Sequence, residues 1–227
     1  DVYKRQVLMS RPVLYVLAGV NGAGKSSVGG HVLTQAGMTW FNPDSYAREL
    51  MQLRGGALQE ANGQAWQEGV RRLDDAIEGG FSFAFETTLG GRTIVEKLIA
   101  AAGSHDILMW FCGLRDAEQH IARVAFRVTQ GGHPIAEERI RERCLTSYRN
   151  LLDLMPRLAY LRVYDNSADV LAGQSVPEPR RVLQIDAGNV IFPSAMQDMA
   201  ATPEWAKPLV EAALSAGSTG RARHGDC

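Results

Sequence analysis

The run at residues 19–26 constrains this chain more than any other feature of its sequence. Its letters, GVNGAGKS, match the phosphate-binding pattern G-x-x-x-x-G-K-[ST]. The apolar run at 13–18 before it has the pattern of a buried strand, and a helical pattern begins at Ser27. A strand, a glycine-rich loop and a helix N-terminus together form a site for phosphate groups. The alternative is a glycine-rich turn with an incidental lysine, which the flanking strand and helix disfavour.

The residue types in this motif suit a nucleoside triphosphate. Its glycines allow a tight turn in which backbone N–H groups point at phosphate oxygens. The Lys25 ammonium can reach the β and γ phosphates, and the Ser26 hydroxyl can bind Mg²⁺. We therefore predict a nucleotide site whose phosphate-binding residues from the loop are Gly19, Asn21, Gly22, Ala23, Gly24, Lys25, Ser26 and Ser27.

Composition narrows the class of partner and the compartment. The net charge of −1 and the isoelectric point of about 6.6 disfavour nucleic acid and anionic membranes as partners. No apolar run approaches the ~20 residues of a membrane span. The three cysteines, Cys112, Cys144 and Cys227, form no C-x-x-C pair, and their odd number fits a reducing compartment. We expect a cytoplasmic protein that acts on a small molecule.

Strand and helix patterns alternate along the chain, which predicts an α/β fold with a mostly parallel sheet. Strands are predicted at 13–18, 80–86, 106–112, 161–164 and 181–185. Trp110 and Phe111 are expected in the core. A stripe of apolar residues at helical spacing over 66–77, which includes Trp66, is also interpreted as core. A last helix is expected to begin at Pro203 and to end near Ala216.

Asp44 is the first residue that could carry chemistry. It follows Asn42 and Pro43 where a second strand is expected to end above the phosphate loop. A hydroxyl that attacks the γ-phosphate needs a carboxylate within hydrogen-bond reach to accept its proton. The alternative is that Asp44 caps a helix beginning near Ser45. The residues alone favour neither.

Glu86 is the second such residue. It ends an apolar strand and is followed by Thr87 and Thr88. Open parallel sheets bind ligands at the carboxyl ends of their strands. A carboxylate with two hydroxyls at that edge could hold a polar acceptor or order Mg²⁺ through water, so we expect these three residues to bind substrate. The alternative is a loop in which a threonine caps the next helix; a charge directly after a buried strand favours a functional partner.

A basic segment follows later in the chain. His120, Arg123 and Arg127 fall on one face of a predicted helix, and a second helix, with Arg139 and Arg143, follows a glycine pair. Two basic helices joined by a hinge can form a lid that brings guanidinium groups to a transferring phosphate. The alternative is a solvated face in which glutamates pair with these arginines. Of the arginines, Arg127 is favoured for phosphate, with Arg123 beside it.

Other chemistries find little support in the sequence. The spacings of histidine and cysteine show no zinc pattern. Hydrolysis by a serine nucleophile lacks the G-x-S-x-G motif. An apolar run that ends in aspartate is the usual second magnesium signal, and Ile185-Asp186 is a late candidate for it.

Several of these segments together resemble the zeta toxin family of P-loop kinases. Besides the phosphate loop, they are Asn-Pro-Asp at 42–44, Phe-Glu-Thr-Thr-Leu at 85–89, Arg-Val-x-x-Gly-Gly-His at 127–133, the stretch 140–151 and Tyr-Asp-Asn-Ser at 164–167. The likeness spans about residues 13–167. The resemblance implies a P-loop kinase-like three-layer α/β fold and an ATP-dependent kinase that uses Mg²⁺.

The resemblance also implies roles for single residues. Lys25 would hold the phosphates, Ser26 the magnesium ion, and Asp44 would be the base. Glu86, Thr87 and Arg92 would face the acceptor, and Arg127 would neutralise the γ-phosphate. The best-understood family members phosphorylate the 3′-hydroxyl of the amino sugar in UDP-N-acetylglucosamine, and a small antitoxin protein restrains them.

One departure from the family leaves two questions open. The plasmid-type toxins carry a second lid arginine near the position of this chain's Gly-Gly-His, so its role falls to His133, Arg139 or Arg143. The Gly-Gly-His form resembles chromosomal relatives whose acceptors are mostly undefined. Competing functions are a kinase for another metabolite or for a nucleic-acid 5′-hydroxyl, and a nucleotide-dependent regulatory module that transfers no phosphate.

The expected domain organisation is simple. Residues 1–6 resemble the translation of a sequencing adapter, so residues 1–8 are expected to be a non-native leader before Met9. Residues 9–214 would form a single kinase domain with a helical lid at about 116–150. Residues 215–227, rich in glycine, serine and arginine, would form a flexible tail.

Overall fold

The computed structural model of the chain describes residues 11–26, 28–29, 33, 38–168 and 177–221, with side chains as far as residue 216. The expected leader at 1–8, Ser27 and Cys227 lie outside the described residues.

A sheet of six strands forms the centre of the molecule, in the order β2-β1-β3-β4-β5-β6. The first four strands are parallel, and β5 and β6 are antiparallel additions at one edge. The predicted α/β fold with a mostly parallel sheet is confirmed. The strands are β1 (Val13–Ala18), β2 (Phe83–Thr87), β3 (Asp106–Gly113), β4 (Tyr160–Asp165), β5 (Arg180–Asp186) and β6 (Asn189–Phe192).

Helices cover both faces of this sheet, so β1 is buried along its whole length. Leu14 and Val16 join one core cluster, whereas Tyr15 and Leu17 join another, because alternate side chains point to opposite faces. From Pro43 onwards, the described residues form the helices α1 (Pro43–Arg54), α2 (Leu58–Gly79), α3 (Arg92–Ala101), α4 (Ala117–Thr129), α5 (Glu137–Leu154), α6 (Met196–Ala200) and α7 (Lys207–Arg221).

The central strands match their predictions closely. Trp110 and Phe111 are fully buried in β3, as expected. The second predicted strand begins later than expected, at Phe83, because Gly80 adopts a left-handed conformation that ends α2. The strand expected before Asp44 consists of one residue, Phe41, which forms an isolated bridge to Phe85.

The antiparallel edge corrects one sequence-based expectation. Asp186, a candidate for the second magnesium signal, pairs with Tyr160 at the beginning of β4. The phosphate loop follows the end of β1, which is parallel to β3 and β4. Asp186 therefore lies where the parallel strands begin, and the phosphate loop lies where they end. The hypothesis that Asp186 binds magnesium beside that loop is wrong.

The last helix differs from its predicted bounds. A short 3₁₀ turn, Glu204–Ala206, follows Pro203, and α7 then runs to Arg221. The first residues of the expected tail are therefore helical, and residues 222–227 lie outside the described part of the chain. None of the helices described is both long enough and apolar enough to cross a lipid bilayer.

Candidate active site

The phosphate loop connects β1 to a helical turn that begins at Lys25. Gly19, Gly22 and Gly24 all have positive φ angles, of 139°, 82° and 81°. A Cβ atom on Gly19 would lie 2.3 Å from the Cys112 carbonyl oxygen of the neighbouring strand, so only glycine fits there. Positive φ angles at Gly22 and Gly24, on either side of Ala23, give the kind of backbone that forms an anion-binding concavity.

Residues from outside the motif hold this loop on two sides. The His120 ring donates from Nδ1 to the Asn21 carbonyl at 2.8 Å, and Asn166 donates from Nδ2 to the Ala23 carbonyl at 2.9 Å. Burial lowers the pKa of His120 to about 4, so its ring is neutral at physiological pH. His120 is therefore not part of a basic face, in contrast to the prediction from its helical spacing.

Glu86 lies against the loop at the end of β2. Its Oε1 is 3.4 Å from the Lys25 Nζ, and both side chains are about nine-tenths buried. Its Oε2 accepts hydrogen bonds from the Ser26 hydroxyl at 3.1 Å and from the Asn42 amide at 2.9 Å. The carboxylate thus joins the phosphate loop to the start of α1. This placement favours a functional role for Glu86, since no threonine caps the next helix.

Asp44 lies in the first turn of α1. Asn42 is the N-cap of this helix and accepts from the Ser45 N–H at 3.1 Å, with Pro43 at the next position. The alternative in which Asp44 caps the helix is therefore wrong. Its Oδ2 is 3.8 Å from Nη1 of Arg127. The carboxylate and the guanidinium thus face one another across the gap between α1 and α4.

The Arg127 guanidinium has hydrogen-bond donors that are available for a ligand. Within the described part of the chain, its Nε and Nη2 are buried and have no hydrogen-bond partner. Buried donors without partners are costly, and a bound ligand or water commonly satisfies them. The guanidinium has the planar donor geometry that phosphate oxygens match. Arg127 therefore fits the role of a phosphate-binding arginine.

A second arginine approaches from α5. Arg143 donates from Nη1 to Oδ1 of Asn21 at 2.6 Å, and burial lowers the pKa of its guanidinium. Its side chain passes Gly90 so closely that a Cβ there would lie 2.9 Å from Arg143 Cγ. Of the three residues left open for the second lid cation, Arg143 is the one that donates a hydrogen bond to the phosphate loop within the described part of the chain.

A cavity of about 380 Å³ lies beside these groups; Lys25, Asp44, Glu86 and Arg143 line it, and Arg127 does not. Its polar side includes Lys25, Asp44, Glu86, Thr87 and Thr88, which the sequence predicts at the site. Asn62, Trp66 and Thr93, which are not among the predicted site residues, also line it. Other side chains that line the cavity include those of Phe41, Asn42, Val70, Phe85, Ile94, His133, Arg139 and Arg143.

Trp66 corrects the interpretation of the stripe at 66–77 as core. Its side chain is 51% exposed and faces the cavity, whereas Leu73 and Ala76 of the same helix are fully buried. Asn62 and Val70, one turn before and after Trp66, line the same cavity. A row of Asn, Trp and Val at i, i+4 and i+8 on one helix face was the signal available in the sequence.

Two predicted site residues make other contacts. Arg92 does not line the cavity; its guanidinium donates to Asn150 at 3.2 Å and to Asp153 at 2.6 Å. Arg123 donates to the Asn166 carbonyl at 2.7 Å and to that of Ala168 at 3.2 Å. The structure brings together the loop, Asp44, Glu86 and Arg127, and places these two arginines around them.

Comparison with known proteins identifies the family. The model of the family described as zeta toxin matches residues 2–146. A protein of Haemophilus influenzae described only as uncharacterized is 26% identical over 147 residues, which are 62% of this chain and 96% of that protein.

Solved structures agree in fold. The crystal structure of AvrRxo1-ORF1:-ORF2 with ATP and that of the same pair with sulphate ions are each 16% identical, with a TM-score of 0.58. Each comparison covers 88% of this chain and 66% of the other. At such identity the likeness concerns the fold alone. Because the family model matches more than half of its length, the chain belongs to the zeta toxin family of ATP-dependent kinases.

Proposed function

We propose that the protein transfers the γ-phosphate of ATP to a hydroxyl group of a small molecule bound in the cavity described above. The observation that carries this proposal is the shared cavity of Lys25 and Asp44, with Arg127 at 3.8 Å from the Asp44 carboxylate. A phosphate-binding lysine, a carboxylate and a guanidinium are the groups that in-line phosphoryl transfer requires around its reacting atoms.

In this mechanism the loop amides and Lys25 bind the triphosphate. Asp44 accepts the proton of the acceptor hydroxyl while the new oxygen–phosphorus bond forms. The bond between the γ-phosphorus and the bridging oxygen breaks, and ADP leaves with the electron pair. Arg127 and Arg143 neutralise charge on the phosphoryl oxygens.

A magnesium ion fits the residues at this site. The Ser26 hydroxyl and the Glu86 carboxylate lie 3.1 Å apart, and both are oxygen donors of the kind that Mg²⁺ takes together with water and phosphate. We propose that Ser26 holds the ion and that Glu86 orders its water. When bound, the ion supplies positive charge against the β and γ phosphates. Among the described residues no group of three or more His, Cys, Asp or Glu could hold a metal by itself.

The acceptor that we propose first is a sugar nucleotide such as UDP-N-acetylglucosamine. The cavity offers Arg139, a cation without a role in the transfer step above, for the phosphates of such a molecule, and Trp66 offers a flat apolar face. Glu86, Thr87 and Thr88 provide polar groups for hydroxyls. The proposed acceptor site does not include Arg92, whose guanidinium is held by α5.

Two other acceptor classes and one non-enzymatic role compete with this proposal. A nucleic-acid 5′-hydroxyl is disfavoured by the net charge of −1, and a salt-insensitive activity would exclude it further. Another metabolite remains the second candidate. A regulatory module that binds nucleotide without transferring phosphate is the non-enzymatic alternative. We also propose a small inhibitory protein partner; the similar AvrRxo1-ORF1 structure contains a second chain, ORF2.

The test is incubation of the protein with γ-labelled ATP and a panel of sugar nucleotides and other metabolites. We expect label on one hydroxyl-bearing small molecule and release of ADP. Label on UDP-N-acetylglucosamine would identify the first acceptor, and label on another compound would replace it. ATP binding without label on any compound would favour the regulatory module.

A further inference from the structure

We propose that His120 and Asn166 are positioning residues that aim two amides of the phosphate loop at the nucleotide. This inference rests on the proposed nucleotide site. Neither residue belongs to the loop motif, and neither lines the cavity. Each donates one hydrogen bond to a loop carbonyl, His120 to Asn21 at 2.8 Å and Asn166 to Ala23 at 2.9 Å.

The geometry of the peptide bond gives these contacts their effect. A trans peptide is planar, so its C=O and the N–H of the next residue point in opposite directions. When His120 holds the Asn21 carbonyl on the α4 side, the Gly22 N–H must point to the other side. Asn166 fixes the Gly24 N–H in the same way through the Ala23 carbonyl. The two peptide planes therefore cannot turn without breaking a hydrogen bond.

The glycines of the loop need such support. Gly22 and Gly24 have φ angles of 82° and 81°, and glycine reaches many other conformations at little cost. A loop free to sample them would lose conformational entropy on binding phosphate. Two hydrogen bonds from rigid elements remove part of this loss in advance.

Both donors are themselves held firmly. His120 is 1% exposed, and its backbone carbonyl lies 2.9 Å from where a Cβ on Gly22 would be. Asn166 donates from its backbone N–H to Gly113 at 3.0 Å and accepts from Arg123 at 2.7 Å. Arg123 and His120 lie one turn apart on α4, so this helix supports both contacts. The proposal thus gives Arg123 a role in holding Asn166.

The test uses variants that keep or remove the donor at one position. In His120→Asn the amide nitrogen stands near the place of Nδ1, whereas in His120→Gln it stands near the place of Nε2. Asn166→Leu removes the other donor at similar volume. The controls are His105→Asn and Asn189→Leu. His105 is a second buried histidine whose ring contacts the Ala76 carbonyl, and the Asn189 amide contacts the Ala187 carbonyl.

The readouts are the Kd for ADP by calorimetry, the KM for ATP and kcat in the transfer assay, and the Tm. We expect His120→Gln and Asn166→Leu to weaken ADP binding about tenfold and to raise the KM for ATP more than they lower kcat. His120→Asn should stay within about threefold of the parent protein. Both controls should leave the Kd unchanged; His105→Asn should lower the Tm, because His105 is buried, and Asn189→Leu, at an exposed position, should leave the Tm nearly unchanged.

Equal Kd values for the parent, His120→Gln and Asn166→Leu would overturn the inference, as would a His120→Asn variant as weak as His120→Gln. A parent protein that binds no ADP would contradict it as well. A protein that binds ADP with the expected order of affinities but transfers no phosphate would support the inference and contradict only the proposed function.

Discussion

At the scale of single residues, the pair of Lys25 and Glu86 decides how the nucleotide-free protein tolerates a buried ammonium group. Their atoms lie 3.4 Å apart at a site where both side chains are about nine-tenths buried. A buried charge needs a partner of opposite charge, and the Glu86 carboxylate is that partner of Lys25 when no phosphate is bound. Nucleotide binding must therefore exchange one anionic partner of Lys25 for another.

Replacement of Lys25 by alanine should abolish ATP turnover, because the phosphates lose their cation. It should also lower the free energy of unfolding by about 3 kcal/mol, since Glu86 stays buried without its charge partner. ATP consumption and urea denaturation measure the two effects. The control is Lys97→Ala, which removes a more exposed pair with Asp74 and should cost below about 1 kcal/mol. Turnover by Lys25→Ala would contradict the role of this lysine.

His120 should make stability depend on pH. Burial lowers the pKa of its folded-state imidazole to about 4, below the ordinary value of 6.5. Between these values the unfolded chain binds more protons than the folded one, so stability falls as pH falls from about 6.5 towards 4. At pH 4.5 the loss should be on the order of 2–3 kcal/mol relative to pH 7.

Urea denaturation at several pH values measures this contribution. The variant His120→Asn lacks the titrating ring and should lose less stability than the parent over the same range. Identical pH dependence in the two proteins would show that the imidazole is not buried in its neutral form.

At the scale of elements, the connection between α4 and α5 positions Arg127. A Cβ on Gly132 would lie 2.8 Å from Arg127 Cγ and 2.9 Å from its carbonyl oxygen. Gly132→Ala should therefore displace this arginine and lower the transfer rate about tenfold or more, with little effect on ADP affinity. Gly103→Ala is the matched control, because its nearest contact would be 3.8 Å away. Equal transfer rates for both variants would refute the close packing of Gly132 on Arg127.

The elements differ in how well local sequence predicts them. Helices cover both faces of the sheet, so β1 and β3 are continuous apolar runs, and such runs can be predicted as buried strands from the sequence. β6 was missed because it is four residues long and half exposed. The turn before it has positive φ angles at Ala187 and Gly188, and glycine in a two-residue connection was the available hairpin signal.

The site was predictable only in part for a similar reason. The motif and the rule on strand ends located the loop, Asp44 and Glu86. The contact between Asn21 and Arg143 joins residues 122 positions apart, and that between Ala23 and Asn166 joins residues 143 apart. Such pairs depend on how the helices pack on the sheet, which no local spacing encodes. The side on which Trp66 emerges from α2 depends on the same packing.

At the scale of the whole molecule, nucleotide binding should raise thermal stability. A ligand at one hundred times its Kd adds about 2.7 kcal/mol to the free energy of unfolding. For a chain of 227 residues this corresponds to a rise in Tm of roughly 5–10 °C. Differential scanning calorimetry with magnesium-ATP measures it, and Lys25→Ala should show no rise. An unchanged Tm of the parent protein at saturating magnesium-ATP would contradict nucleotide binding.

The whole molecule brings together one side chain from α1, one from α4 and a loop after β1. The central claim is that this assembly moves a phosphoryl group to an alcohol whose proton goes to Asp44. Asp44→Asn keeps the shape of the side chain and removes the base. Asp75→Asn, on the surface beside Arg71, is the matched control.

The most direct measurement is the rate at which label from γ-labelled ATP reaches a hydroxyl compound, compared among the parent, Asp44→Asn and Asp75→Asn proteins, with ADP affinity measured in parallel. The parent and Asp75→Asn should transfer label at the same rate. Asp44→Asn should bind ADP as the parent does and transfer at least about a hundredfold more slowly. Transfer by Asp44→Asn at the parent rate, or no labelled hydroxyl compound with the parent protein, would contradict the claim.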